Sequence, residues 1–491
     1  MRTVKICIRS FRKRGFMSTV LIRRGYVVTM DPDIGDLPEA DVLVRDGRIT
    51  DVAPRLPADG AEVVEANGRI VLPGFVDGHR HAWQSLLHGL ASDWGFPTYM
   101  RLVRGGLSGC FGPEDAYLGS LLGGLEAISA GVTTVVDHAH LQKSTDISLA
   151  LLQGLWDSGV GGYFAYALQN VPDWLGDSYA DPEDLNDLLL RAPDAEHDER
   201  FHSVRARLAD LDETGSDRLR LGVALPETAP YLPLDVVRPV LERVRSLRPA
   251  LITGHWNASV HEGRYVSTLG SLIEAGFLDG VTVLSHCNQF NEEDLDLMAR
   301  ANIGLVTTPR TECGMGLGPL QVRKLVSRGG AGGLGVDTTC YTESDLLGEA
   351  RTLLDAERRD AGSTTVGIPK EAWPARAALE LATSVGARAV GLQDEVGTLT
   401  PGKRANLTVV SPDPIRARPG TDPITTLVFY TGPGDVETVL VDGEIRKRAK
   451  EMVGVDSADL ARRCADSFSA IRTRYASLPG HVIDGAFRGV F

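Results

Sequence analysis

Cysteine is scarce in this chain, with 6 residues among 491, and no two of them have CxxC spacing. A dense disulfide framework is therefore not expected, and a reducing cytoplasmic location fits better than a secretory route. Basic residues are also in the minority, because 51 Lys and Arg stand against 65 Asp and Glu, a net charge of −14. This balance argues against nucleic acid or an anionic membrane surface as a partner and favours a small molecule.

Long apolar runs are missing as well. The least polar stretch, residues 123–136, contains Glu126 and is shorter than the roughly 18 apolar residues that a membrane span needs. Residues 1–16 carry basic side chains and no acid, but they lack the apolar core of a signal peptide. We interpret them as a disordered extension or a mis-called start, with Met17 opening the folded chain.

The rest of the composition is ordinary for a large globular protein, and both ends of the chain have the texture of β-strands. Short Val- and Ile-rich runs alternate with turn dipeptides, and three of these dipeptides favour tight hairpins: Asp46-Gly47, Asn67-Gly68 and Asp442-Gly443. We expect residues 17–72 and 391–450 to form one composite β-sandwich domain. Residues 451–491 are predicted to form an amphipathic helix and a tail.

The middle of the chain, residues 73–390, alternates apolar runs with helical patterns. Eight such runs occur, at residues 71–76, 132–136, 161–168, 219–225, 250–253, 281–284, 303–306 and 332–336. Segments between most of them place apolar residues three or four positions apart, as amphipathic helices do. This α/β pattern predicts a (β/α)₈ barrel of the TIM type.

Histidine and aspartate follow several of these apolar runs. His79 and His81 come after the first run, His255 and His286 after the fifth and sixth, and Asp337 after the eighth. Active sites of such barrels lie at the carboxyl ends of the strands, and two histidines two apart on a strand face the same side. Three imidazoles and a carboxylate are a suitable ligand set for one Zn²⁺, or alternatively Fe²⁺.

These motifs resemble the amidohydrolase superfamily, and in particular its branch of cytosine and guanine deaminases and chlorohydrolases. The resemblance is carried by residues 72–81 (LPGFVDGHRH), 131–137 (GVTTVVD), 335–337 (GVD) and 397–407 (GTLTPGKRANL), together with His255 and His286. It implies that His79, His81, His255 and Asp337 bind one metal ion, and that His286 holds or polarises the substrate. The fourth run has no Lys to bridge a second metal, and homo-oligomers are common in this superfamily.

The chain departs from the deaminase pattern at one point. Deaminases of this branch carry His-x-x-Glu after the fifth strand, whose Glu moves protons, but this chain reads His255-Trp256-Asn257-Ala258. We expect Glu312, which follows the seventh run, to replace the missing shuttle, because the leaving amine needs a proton. Glu227, after the fourth run, is interpreted as structural.

The resemblance and the residues together predict a metal-dependent hydrolase of non-peptide carbon–nitrogen bonds in a cyclic amide or amino-heterocycle. A divalent cation lowers the pKa of water, and Asp337 is expected to accept the proton, with His286 and Glu312 as the other catalytic residues. We predict substrate contacts from Trp83, Gln84 and His140. The alternatives are a dechlorinating or non-hydrolytic reaction at the same metal site, and a non-catalytic scaffold on the same fold.

Overall fold

The computed structural model describes residues 19–261, 263–361, 373–417 and 422–488. The predicted extension at residues 1–16 and the predicted start at Met17 lie outside this part of the chain. Within it, no helix is both long enough and apolar enough to cross a membrane.

The predicted (β/α)₈ barrel is confirmed. Its sheet has eight parallel strands in sequential order, Phe75–Arg80, Val132–Ala139, Gly161–Ala167, Leu219–Ala224, Ile252–Trp256, Thr282–His286, Gly304–Thr307 and Gly332–Leu334. Just beyond the eighth strand, Asp337 N donates to His79 O at 2.9 Å and His81 N donates to Asp337 O at 2.8 Å. These two bonds join the eighth strand to the first, so the barrel closes at the residues predicted to bind metal.

The first apolar run, residues 71–76, was expected to be one strand, and this expectation is wrong. It belongs to two strands, because Ile70–Pro73 pairs with Leu407–Val410 in the second sheet and Phe75–Arg80 opens the barrel. Gly74 lies between them, where a Cβ atom would approach Thr133 Cγ2 to 2.2 Å. Only glycine permits the chain to cross so closely from one sheet to the other.

The second sheet has nine strands drawn from both ends of the described chain. They are Thr19–Val28, Asp36–Arg45, Arg48–Ala53, Glu62–Glu65, Ile70–Pro73, Leu407–Val410, Val436–Val441, Glu444–Arg448 and Glu451–Met452. A separate pair, Ser259–His261 and Arg264–Val266, follows the fifth barrel strand. A β domain from both chain ends is therefore present.

Two of the three predicted hairpin turns are confirmed. Asp46-Gly47 and Asp442-Gly443 connect antiparallel strands with positive φ at all four residues, as type I′ turns require. The hairpin at Asn67-Gly68 is wrong, because the strands on either side of it both run parallel to Thr19–Val28. This dipeptide links two successive strands along one edge.

Helices surround the barrel, and the last one in the described part of the chain ends at Asp484. The α-helices are Phe96–Tyr99, Pro113–Ser129, Thr145–Ser158, Pro182–Leu190, Ala195–Leu211, Leu234–Ser246, Leu269–Glu274, Glu292–Ala301, Pro309–Met315, Val322–Ser327, Leu346–Ala361, Ala375–Leu381, Ser384–Ala389, Pro423–Tyr430, Ser457–Ala476 and Gly480–Asp484. A π-helical segment, Met100–Gly106, follows the first barrel strand. The long C-terminal helix buries Ile471 and pairs Arg474 Nη1 with Asp115 Oδ2 at 2.8 Å, which attaches it to the barrel.

Candidate metal centre and active site

Four predicted ligands meet at the carboxyl ends of the barrel strands. His79 Nε2 and His81 Nε2 lie 3.4 Å and 3.1 Å from Asp337 Oδ1, and His255 Nε2 lies 3.1 Å from His79 Nε2. A tetrahedral cation with bonds of about 2.0–2.1 Å would place its ligand atoms roughly 3.3–3.5 Å apart. The spacing and the chemical type of these donor atoms therefore suit a divalent cation. A bound cation would also be a partner for the facing Nε2 atoms of His79 and His255.

The backbone at two of the strand ends is strained. His286 and Asp337 have φ values of +75° and +63°, in the left-handed region that non-glycine residues seldom adopt. Each such residue costs on the order of 1–3 kcal/mol, and such costs are concentrated at functional sites.

Burial favours the neutral form of three imidazoles in this site. It lowers the pKa of His255 to about 4 and places the pKa values of His79 and His140 well below the ordinary histidine value. The neutral ring is the form that binds metal. His81 Nδ1 is 3.0 Å from His138 O, so it donates to this carbonyl and leaves Nε2 free as a ligand.

Glu312 lies behind His286. Its Oε1 is 3.1 Å from His286 Nδ1 and accepts from Thr308 N at 2.9 Å, while its Oε2 accepts from Thr307 Oγ1 at 2.5 Å and Asn288 Nδ2 at 3.2 Å. Burial would lower the pKa of His286, but the hydrogen bond with Glu312 and the charge of Asp337 outweigh it and raise that pKa. The Glu312 side chain is fully buried, so it contacts the site through the imidazole.

Glu227, which the sequence pattern indicated as structural, lies in the site. Its Oε1 is 3.3 Å from His255 Nδ1 and 3.2 Å from His140 Nε2, and its Oε2 is 3.3 Å from Arg104 Nη2. A carboxylate beside the outer nitrogen of a ligating histidine orients that ring. The sequence signal for Glu227 was its place directly after the fourth strand, whereas nothing in the sequence singled out Arg104.

His140 lies beside the predicted metal ligands, and its contact with substrate remains a prediction. Its ring centroid is 4.1 Å from that of His81, and Trp83 Nε1 donates to His140 Nδ1 at 3.4 Å. The neighbouring His138 stacks on His255 with ring centroids 4.3 Å apart. Neither ring nitrogen of His138 has a hydrogen-bond partner among the described residues.

Trp83 and Gln84 are completely buried. The Gln84 amide donates to Tyr99 Oη at 2.7 Å, and its oxygen accepts from Thr338 and Cys340. The Gln84 amide is therefore already hydrogen-bonded to other protein groups. Trp83, in contrast, contacts the site through its hydrogen bond to His140. Contact of either residue with substrate remains a prediction.

The position of the missing shuttle is occupied by a methyl group. Ala258 is buried after the fifth barrel strand, and the adjacent Asn257 Oδ1 accepts from Gln289 N at 2.8 Å. No carboxylate therefore enters the site from this strand end. The two glutamates that do approach the site, Glu227 and Glu312, both contact the Nδ1 atom of an imidazole.

The chain is similar to known proteins over most of its length. The family model described as the amidohydrolase family matches residues 70–446. The chain is 27 % identical to the 5-methylthioadenosine/S-adenosylhomocysteine deaminase of Desulforudis audaxviator over 458 residues, covering 90 % of this chain and 97 % of that protein. It is also 27 % identical to the 5'-deoxyadenosine deaminase of Methanosarcina acetivorans, covering 87 % and 93 % of the two chains.

Solved structures share the fold at lower identity. An adenosine deaminase from Xanthomonas campestris with bound zinc superposes with a TM-score of 0.74 at 21 % identity, covering 93 % of this chain and 99 % of its own. Atrazine chlorohydrolase TrzN from Arthrobacter aurescens, complexed with zinc, gives 0.73 at 20 % identity, with coverages of 92 % and 100 %. The family model spans most of the chain, and the two relatives described above are named as deaminases. The chain therefore belongs to the amidohydrolase family and is a hydrolase of carbon–nitrogen bonds other than peptide bonds.

Proposed function

We propose that this enzyme removes an amino group from, or opens a ring amide in, a small nitrogen heterocycle. The observation that carries the proposal is the contact of His79 and His81 with Asp337 and of His255 with His79, with the His286–Glu312 pair beside them. The relatives named as deaminases of adenine nucleosides support the substrate class.

The cofactor in this proposal is one Zn²⁺ per chain, with Fe²⁺ as the alternative. His79, His81, His255 and Asp337 would hold it, because their donor atoms and spacings suit a tetrahedral cation. Such an ion lowers the pKa of water towards neutrality and so makes a nucleophile available at neutral pH.

Protein groups carry the protons in this mechanism. Asp337 accepts a proton as the nucleophile attacks, and His286 polarises the substrate and donates to the departing nitrogen. Glu312 is a positioning residue here, because both of its oxygens are bonded within the protein and one of them faces His286 Nδ1. In this arrangement, His286 does part of the work for which relatives use the glutamate absent at Ala258.

The experiment combines metal analysis with a turnover screen. Protein prepared without chelator is expected to hold about one divalent ion per chain and to release ammonia from, or open, at least one compound among 5'-deoxyadenosine, amino-heterocycles and lactams. Asp337→Asn should abolish turnover in metal-replete, folded protein, because a carboxamide cannot accept the proton. Two ions per chain, or an active Asp337→Asn protein, would contradict the proposal.

Dechlorination is the second candidate, and Ala258 favours it. Chloride leaves without a proton, so its departure does not need the carboxylate that this strand end lacks. Chloride release from a chlorinated triazine, without ammonia release from any amine in the screen, would select this candidate.

A further inference from the structure

Arg104 is a buried cation beside the candidate metal centre whose donors are only partly used. It lies on the π-helical segment Met100–Gly106, and its side chain is 3 % exposed. Nη2 is 3.3 Å from Glu227 Oε2, but Nε and Nη1 are buried with no hydrogen-bond partner among the described residues. Buried guanidinium donors without partners are costly, so this arrangement indicates a missing acceptor.

The position of Arg104 relates it to the reaction centre. Its partner Glu227 contacts His140 and His255, and the His140 ring lies 4.1 Å from the ring of the ligand His81. Arg104 is therefore separated from the predicted metal ligands by a single layer of side chains.

The backbone around Arg104 is held firmly. A Cβ atom on Gly106 would approach Tyr475 Cε2 to 2.5 Å, and one on Gly105 would approach Ala486 Cβ to 2.7 Å, so C-terminal elements pack directly against this segment. Trp174 Nε1 donates to Gly105 O at 3.2 Å. The guanidinium is thus positioned in advance, which reduces the entropy lost on binding a ligand.

We infer that Arg104 is a substrate-binding residue that donates to a carbonyl oxygen on the heterocycle. This inference rests on the proposed function and narrows its substrate class to oxo-heterocycles. A neutral acceptor is favoured over an anion because the charge of Arg104 is already balanced by Glu227, whose carboxylate would repel a second negative group.

Binding of matched ligand pairs tests the inference. Cytosine and 4-aminopyrimidine differ by one ring carbonyl oxygen, as do guanine and 2-aminopurine. Kd is measured by calorimetry on zinc-replete protein at low temperature, and the recovered ligand is checked for conversion. The wild type should prefer the oxo member of at least one pair by about tenfold or more, because an unfilled acceptor position leaves buried donors unpaired.

Arg104→Met should reduce this preference to less than about threefold, and Arg104→Lys should restore part of it. Arg101→Met is the matched control. Arg101 lies on the same segment and its Nε is also buried without a partner among the described residues, but its side chain is 37 % exposed and its Nη1 pairs with Asp484. It should keep the wild-type preference, and circular dichroism establishes that each variant is folded.

Three results would overturn the inference. They are a folded Arg104→Met protein that retains the preference, a wild type that binds both members of each pair equally, and a wild type that binds none of the four compounds. A wild type that converts 5'-deoxyadenosine but shows no oxo preference would refute the role of Arg104 while leaving the proposed deamination intact. Failure of the whole turnover screen, with the oxo preference present, would refute the proposed reaction alone.

Discussion

Two His-x-His pairs, His79/His81 and His138/His140, end neighbouring strands of the same barrel, yet their surroundings differ. The first pair directs both Nε2 atoms at Asp337 Oδ1, within 3.4 Å. In the second pair, His140 lies between Trp83 and Glu227, and the ring nitrogens of His138 have no partner among the described residues.

The difference shows that the same spacing leads to different surroundings. Both histidines of the first pair group with Asp337, whereas in the second pair only His140 groups with other possible ligands among the described residues, His81 and His255. The first strand is joined to the eighth by backbone hydrogen bonds at Asp337, so a carboxylate lies directly opposite its two histidines. The second strand lies between the first and the third. Of its two histidines, His140 instead meets Glu227, which also contacts Arg104 and His255.

The largest expected effect comes from a substitution in the first His-x-His pair, compared with the equivalent substitution in the second. His81→Asn should lose the metal and lower kcat/KM by roughly 10³-fold or more, because the ion supplies much of the rate enhancement. His138→Asn should retain the metal and stay within about tenfold of the wild type. Elemental analysis and steady-state kinetics on both variants test this, and equal metal loss would refute the distinction.

A smaller effect is expected from the carboxylate behind His286. Glu312→Gln should lower kcat by about 10²-fold at unchanged metal content, the size expected when a proton-transferring group loses its positioning. As a control, Glu343→Gln removes an exposed carboxylate near Arg310 and should be neutral. Because Glu312 raises the pKa of His286, which must be protonated to donate, its loss should move the alkaline limb of the kcat–pH profile to lower pH. This shift, absent in the control, would separate positioning of His286 from a purely structural loss.

The carboxylate behind the second pair should affect metal binding instead. Glu227→Gln removes the negative charge beside His255 Nδ1 and should weaken metal affinity by about 10- to 100-fold. Competition with a chromogenic chelator measures this affinity. Unchanged affinity together with abolished turnover would instead identify Glu227 as the proton shuttle.

The smallest expected effect concerns Trp83. Trp83→Phe keeps an aromatic ring against Phe111 but removes the donor to His140 Nδ1, a single weak hydrogen bond of 3.4 Å. We expect KM to change by less than about fivefold and metal content to stay the same. A loss of metal would show that the second pair supports the first more strongly than its contacts indicate.

The sequence was most informative about candidate site residues that lie directly after a barrel strand. The positions of His79, His81, His255, His286 and Asp337 after apolar runs predicted which side chains would meet, because all parallel strands of a barrel end at the same rim. The same reasoning placed His140 near the ligands. It did not predict that Glu227 lies in the site, because a position after a strand does not reveal in which direction the carboxylate points.

Local chemistry thus determined the barrel, the positions of the residues predicted to bind metal and the two confirmed type I′ turns, since apolar periodicity and the φ preferences of Asp-Gly act within a few residues. Tertiary structure alone decided three other features: the break at Gly74, the burial of Glu312 behind His286, and the partly unpaired Arg104. Each depends on contacts between residues far apart in the chain. Such contacts are set by how the strands and helices pack, which the spacing of residues along one sequence does not encode.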